Sequence, residues 1–143
     1  MARPASIAAS LDKAERLSVG YLVAQAVLGV VLWITWASAD VVRSWFELMP
    51  ARHEVMDAFV FADLLIGVGG SALSAWGIAT DRSWTVPVLA FTAGGLVYPT
   101  LYLIGWVSFA GTGAVTLAIM VPVSTFTCWI TYQTWKRHRA PTR

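Results

Sequence analysis

Residues 83–135 read SWTVPVLAFTAGGLVYPTLYLIGWVSFAGTGAVTLAIMVPVSTFTCWITYQTW, and these 53 positions hold no Asp, Glu, Lys or Arg. A helix crosses bilayer hydrocarbon in about 20 residues. The stretch is too long for one crossing and fits two with a turn between them. Gly111-Thr112-Gly113 supplies the turn, because glycine relieves backbone strain where helices end. Outward from it, an uncharged run of 23 residues covers Leu17 to Ala39. Another lies between Asp57 and Asp81, broken only by Asp63. The chain therefore reads as an all-α, polytopic transmembrane four-helix bundle with spans at about 17–39, 57–79, 84–109 and 113–135. Residues 1–143 form one integral membrane domain, with no internal repeat and no low-complexity tract. An open sheet is excluded, because its edge has no hydrogen-bond partners in lipid.

Composition agrees. The 143 residues are 57% hydrophobic and 13% charged, where an ordinary soluble domain is about 45–50% apolar and about 25% charged. Mean hydropathy is +0.65. Disorder and a single water-soluble globule are both excluded. With four spans, both termini and the central loop share one side. That side holds Arg3, Lys13, Arg16, Arg82, Lys136, Arg137, Arg139 and Arg143; the other holds Arg43 and Arg52. The positive-inside rule then places both termini in the cytoplasm and the chain in a cell inner membrane. The sequence pI of about 9.0 reflects this basic rim, so nucleic acid is not expected as a partner.

Arg3, Lys13 and Arg16 followed by an apolar run ending in Ala37-Ser38-Ala39 also have the layout of a secretory leader. A cleavable apolar region is about 7–15 residues, shorter than this one. Trp33 and Trp36 near its end suit the interfacial belt of a retained span. Retention is the preferred reading; cleavage before Asp40 is the alternative and leaves three spans.

Between the first two spans, Val41, Val42, Trp45, Phe46 and Met49 share one helical face, and Asp40, Arg43, Ser44 and Glu47 the other. This predicts an amphipathic interfacial helix stopped by Pro50, either covering the bundle or closing a pocket as a lid. A weaker stripe of Ile7, Leu11, Ala14 and Leu17 extends the first span at the other surface.

Helices associate in lipid through small residues and polar side chains. The second span has such a stripe in Asp63, Gly67, Gly70, Ser71, Ser74 and Ala75. The fourth has Thr116, Met120, Ser124, Thr127, Thr131 and Thr134; the third Gly94, Gly95, Tyr98, Tyr102 and Gly105; the first Gln25, Gly29, Trp33, Trp36 and Asp40. Asp63 shares a face with the small residues of its helix and so points into the bundle. At about 1.5 Å per residue, Asp63, Tyr98, Tyr102, Trp36, Thr116 and Met120 fall in one layer of the outer half. Pro99 leaves the Gly95 carbonyl without its helical donor in that layer, and Pro122 does the same for Ala118. The expected site is an outward-facing pocket around Asp63, binding an apolar or amphipathic small molecule, either lipid-like or an amine.

An ionisable group inside a span is a functional candidate by default, able to exchange a proton or hold a cationic amine. The competing role for Asp63 is a hydrogen bond that locks two helices. Two further functions stay open: an accessory subunit of a larger membrane complex, and a proton-coupled carrier or channel, either of them as a homo-oligomer. No catalytic residue, metal site or cofactor is expected. Cys128 is the sole cysteine, which excludes a disulfide and paired-thiol chemistry. His53 and His138 fall on opposite sides of the membrane. Small multidrug exporters use an acid in their first span, where this chain offers only Gln25.

Ala39-Asp40 closing the first span and Phe59-Val60-Phe61-Ala62-Asp63-Leu64 opening the second resemble the EXPERA group of emopamil-binding and sigma-2-receptor-like proteins. The resemblance covers about 30 residues of short pattern. It implies a bundle cavity for sterols or amphipathic amines, with Asp40 and Asp63 as its acids. The second span has no His and the third no acid, so sterol isomerase activity is not implied. The chain is similar, too, to small bacterial four-span membrane proteins.

Overall fold

A computed structural model describes residues 11–46, 48 and 54–139, with side chains at 54–56 left out. The helices are α1 (Lys13–Ser38), α2 (Asp40–Phe46), α3 (Glu54–Ala62), α4 (Gly70–Ala79), α5 (Thr85–Ala110) and α6 (Ala114–Arg139). A π-helical segment, Asp63–Gly69, joins α3 to α4 without a break. Strands are absent among the described residues. Four stretches, Lys13–Ser38, Asp57–Ala79, Thr85–Ala110 and Ala114–Arg139, are long and apolar enough to cross a membrane. The protein is a multi-pass membrane protein built as an all-α bundle.

Local chemistry sets the ends. Asp12 caps α1 in a reciprocal box: its carboxylate accepts from the Glu15 N–H at 2.8 Å, and its own N–H donates to Glu15 at 2.9 Å. Extended backbone at Ala39 separates α1 from α2. Arg43 folds back over that break, donating to the Ala37 carbonyl at 3.3 Å and lying over the Trp36 ring at 5.1 Å. The helix α4 stops in a Schellman turn, with Arg82 N–H on the Gly77 carbonyl and Asp81 N–H on that of Ile78. Asp81 there takes φ of 48°, a left-handed position usually filled by glycine. Between α5 and α6, Gly113 has φ of 85°, and a Cβ would meet Leu48 at 2.6 Å. The turn expected at Gly111–Gly113 is present, and only glycine allows its close approach to Leu48.

The helices run up and down. One end carries the start of α1, the α4–α5 turn and the end of α6 (the terminal end); the other carries α2 and the α5–α6 turn. Neighbours pack in the order α1, α4 with its π segment, α5, α6, and the α1 and α6 backbones stand apart, joined through side chains. Near the terminal end the core is Leu22, Ala75, Ile78, Leu89 and Ile130. Near the α2 end it is Trp33, Trp36, Leu48 and Leu103. Between them lies a polar belt: Gln25 donates to Ser71 at 2.7 Å and accepts from Thr127 at 3.1 Å. The outward faces carry Leu28, Ile34, Leu65, Phe91 and Phe109, all exposed, which fits hydrocarbon as their solvent.

The interfacial helix between the first two spans is present as α2, with Val41 and Trp45 exposed and Val42 and Phe46 partly covered. Glu47, Met49, Pro50 and Ile7, which belonged to the expected stripes, lie outside the described residues.

Candidate functional site

Asp63 is the first residue of the π segment, and its carboxyl lies inside the bundle rather than against lipid. The segment arises where Gly67, Gly69 and Gly70 crowd four positions. The Gly70 N–H faces the carbonyls of Leu65, Ile66 and Gly67, the first of them five residues back. Such wide turns within helices occur frequently at functional sites. Gly70 also brings α4 close to α5: a Cβ there would collide with the Thr92 hydroxyl. The stripe read on this span holds, because Ser71, Ser74 and Ala75 are buried. So does that on α6, where Ser124, Thr127 and Thr134 are buried.

Two cavities meet at Asp63. The smaller, about 40 Å³, is lined by Leu48, Phe59, Asp63, Pro99, Tyr102, Leu103, Thr116 and Met120. The larger, about 650 Å³, lies between α1 and α6, with Tyr21, Gln25, Leu28, Trp33 and Thr35 on one wall and Ile119, Met120 and Val123 on the other. Asp63, Gly67, Val68 and Leu96 form its floor. Asp63 and Met120 belong to both cavities and form the partition between them. The Trp33 indole lies within reach of the Asp63 carboxyl. Asp63 is the sole carboxylate of either lining.

Of the residues expected at the site, Asp63, Tyr102, Thr116 and Met120 are brought together. Tyr98 is not. It is 76% exposed on the lipid face of α5. The inner face of α5 follows Leu89, Thr92, Leu96, Thr100 and Leu103, and Tyr98 sits two residues, about 200° of helical rotation, from both Leu96 and Thr100. The glycines of the expected stripe divide: a Cβ at Gly95 would collide with Ile66 of the π segment, whereas nothing lies within 4 Å of one built at Gly94 or Gly105. Trp36 is buried, but it packs edge-on against Trp33 and lines neither cavity. Asp40 lies outside as well. Its side chain is exposed and paired with Arg43 at 3.4 Å, because α2 turns its first residue away from the bundle. Asp40 and Asp63 therefore share no cavity.

The α2 end of the site is closed by Leu48. Leu48 is buried above the small cavity. Its carbonyl accepts from Thr112 at 2.8 Å, and the Phe46 carbonyl accepts from Thr116 at 3.3 Å. The larger cavity opens sideways, between α1 and α6, rather than outward. It is fastened toward the terminal end by Tyr21, whose phenol donates to the Val123 carbonyl at 3.3 Å and whose ring meets Phe126. Gln25, Trp33 and Tyr21 were not singled out as site residues from sequence. The available signal was Gln25, the only amide side chain in an uncharged first span.

Chemically, the arrangement offers one carboxyl, the Trp33 indole N–H and a few neutral polar groups (Tyr21, Gln25, Thr35, Tyr102 and Thr116) among mostly apolar walls. It suits an ammonium or hydroxyl group with an apolar body. Among the described residues no three His, Cys, Asp or Glu side chains cluster as metal ligands. Comparison with protein-family models, with curated proteins and with solved structures returns no match.

Proposed function

We propose that this chain sits in a cell inner membrane with cytoplasmic termini and binds an amphipathic small molecule in the groove between α1 and α6. The observation that supports this most is the groove itself: about 650 Å³ of apolar space ending on a lone carboxylate. Ligand pockets are about 300–1,000 Å³, mostly apolar, with few placed polar groups. The ligand enters sideways from the lipid, its apolar body along Leu28, Leu32 and Ile119 and its ammonium or hydroxyl head at Asp63. The orientation follows from Arg16, Arg82, Lys136, Arg137 and Arg139, which gather at the terminal end.

Thermal unfolding of the purified chain with long-chain primary amines, alcohols and fatty acids tests the proposal. Amines are expected to raise the midpoint of the native protein, and Asp63→Asn to weaken their binding about tenfold, the value of one charge-assisted hydrogen bond. An equal response of Asp63→Asn and native protein to amines and fatty acids alike overturns it. A second reading, an accessory subunit, draws on the same lateral opening: α1 lines it from Tyr21 to Thr35, about 21 Å, long enough to seat a partner helix. A stoichiometric partner retained in mild detergent, together with no amine response, favours that reading.

A further inference from the structure

The seam between α1 and α6 opens a second time, at the terminal end, beyond the Tyr21 fastening. The cavity there is about 420 Å³ and is independent of the Asp63 groove, with which it shares no lining residue. Its charges are sorted by wall. Glu15 of α1 and Asp81 of the α4–α5 turn supply carboxylates; Arg137 and His138 of α6 supply the basic groups. Arg137 bridges to Glu15 at 3.2 Å and to Asp12 at 3.3 Å, which uses only part of its five-donor fork. The His138 Nδ1 faces the Thr134 carbonyl at 3.0 Å, leaving Nε2 for another partner.

Two polar side chains in this cavity are left over. Thr134 is nine-tenths buried and lines the cavity, and its hydroxyl makes no hydrogen bond among the described residues. The Gln133 amide likewise has no partner among them. The Thr134 hydroxyl and the half-buried Gln133 amide both line the cavity, where they are free to hydrogen-bond an occupant. Trp129 and Ile78 give the cavity an apolar floor toward the membrane interior. The cavity thus lies at headgroup depth, dipolar above and apolar below.

We infer that this cavity binds a dipolar ammonium–phosphate head of the phosphoethanolamine type, with the ammonium on Asp81 and Glu15 and the phosphate on Arg137, His138 and the Thr134 hydroxyl. The fit is electrostatic: Asp81 on one wall and the unused donors of Arg137 with His138 on the other match a ligand that carries both signs a few bonds apart, with Glu15 between them already bridged to Arg137. A primary ammonium donates hydrogen bonds to the two carboxylates, which a quaternary choline ammonium cannot do. The source is a bilayer phospholipid or a soluble phosphomonoester, and the probes distinguish them.

The test is native mass spectrometry of the full chain in detergent, titrated with short-chain phosphatidylethanolamine, short-chain phosphatidylcholine and free phosphoethanolamine. Ethanolamine lipid is expected to bind about tenfold more tightly than choline lipid. Asp81→Asn keeps the left-handed backbone, which Asn tolerates, and is expected to bring ethanolamine lipid down to the choline level. Thr134→Val, of similar shape, is the second variant and is expected to weaken both lipids through the phosphate. Binding of free phosphoethanolamine that either variant abolishes also supports the site and assigns it a soluble ligand. Equal binding of the two lipids by the native chain, or ethanolamine selectivity unchanged in Asp81→Asn, overturns the inference. Neither result bears on the amine response at Asp63.

Discussion

Replacing Gln25 by leucine removes the amide that ties the first, second and fourth spans together at mid-depth. The structure limits how much this costs. Gln25 donates to Ser71 at 2.7 Å and accepts from Thr127 at 3.1 Å. Neither hydroxyl is stranded by the change. Thr127 keeps a second bond to the Val123 carbonyl at 2.8 Å, and Ser71 keeps its bond to the Gly67 carbonyl. No closed void forms either, because Gln25 lines a cavity that is already open and leucine is of similar size. Interhelical hydrogen bonds in membranes average about 0.6 kcal/mol, with a maximum near 1.7 kcal/mol. Two such bonds give an expected loss of about 1 kcal/mol for Gln25→Leu. Reversible unfolding in mixed micelles, followed through the 8 tryptophans, measures it. A loss above about 3.5 kcal/mol, beyond the ceiling for two bonds, refutes the reasoning and means that Gln25 holds a group with no other partner. A stabilised Gln25→Leu refutes it in the other direction, since the belt then holds nothing together.

Three further outcomes follow from named contacts. The Asp12 carboxyl is held below the ordinary carboxylate range, chiefly by the Glu15 backbone N–H and also by Arg137, against a smaller effect of burial. Its native pKa is lower than its unfolded one, so its contribution to stability is complete above the ordinary value of about 3.9 and is lost as pH falls through the native value. An acid titration of the unfolding midpoint is expected to show this loss, and Asp12→Asn, which still caps the helix, to flatten it. Gly70→Ala drives a methyl into Thr92 and is expected to cost about 1–3 kcal/mol; adding Thr92→Ala should recover part of it in a double-mutant cycle. Tyr98→Ala is expected to leave amine binding at the native value, as a residue on the lipid face must; a tenfold loss returns Tyr98 to the site.

Much of this architecture was legible because charge is so costly in hydrocarbon. The uncharged intervals located all four long helices to within a few residues, and the small-residue stripe around Asp63 gave its inward direction. The stripe on α6 was legible for the same reason: Ser124, Thr127 and Thr134 had no competing polar face. On α5 the stripe of Gly94, Gly95, Tyr98, Tyr102 and Gly105 overlooks the threonines, and of its glycines only Gly95 packs closely against a neighbour. Gly94 and Gly105 face open space, while Thr85, Thr92 and Thr100 face the core and return their hydroxyls to Arg82, Val88 and Leu96 carbonyls. A threonine that satisfies its own hydroxyl within its helix packs inside like a small apolar residue. The π segment was illegible, since three clustered glycines permit a widened turn without demanding one. The sideways opening was hidden for another reason. It depends on the α1 and α6 backbones standing apart, and periodicity within a single helix carries no information about that.

The most direct measurement is covalent labelling of Asp63 by a lipid-soluble carbodiimide, with the adduct located by mass spectrometry of the digested chain. A groove that opens to the bilayer and ends on this carboxyl predicts an adduct at Asp63 that a long-chain amine suppresses. An unlabelled Asp63, or labelling indifferent to saturating amine, contradicts a reachable site between the first and fourth spans.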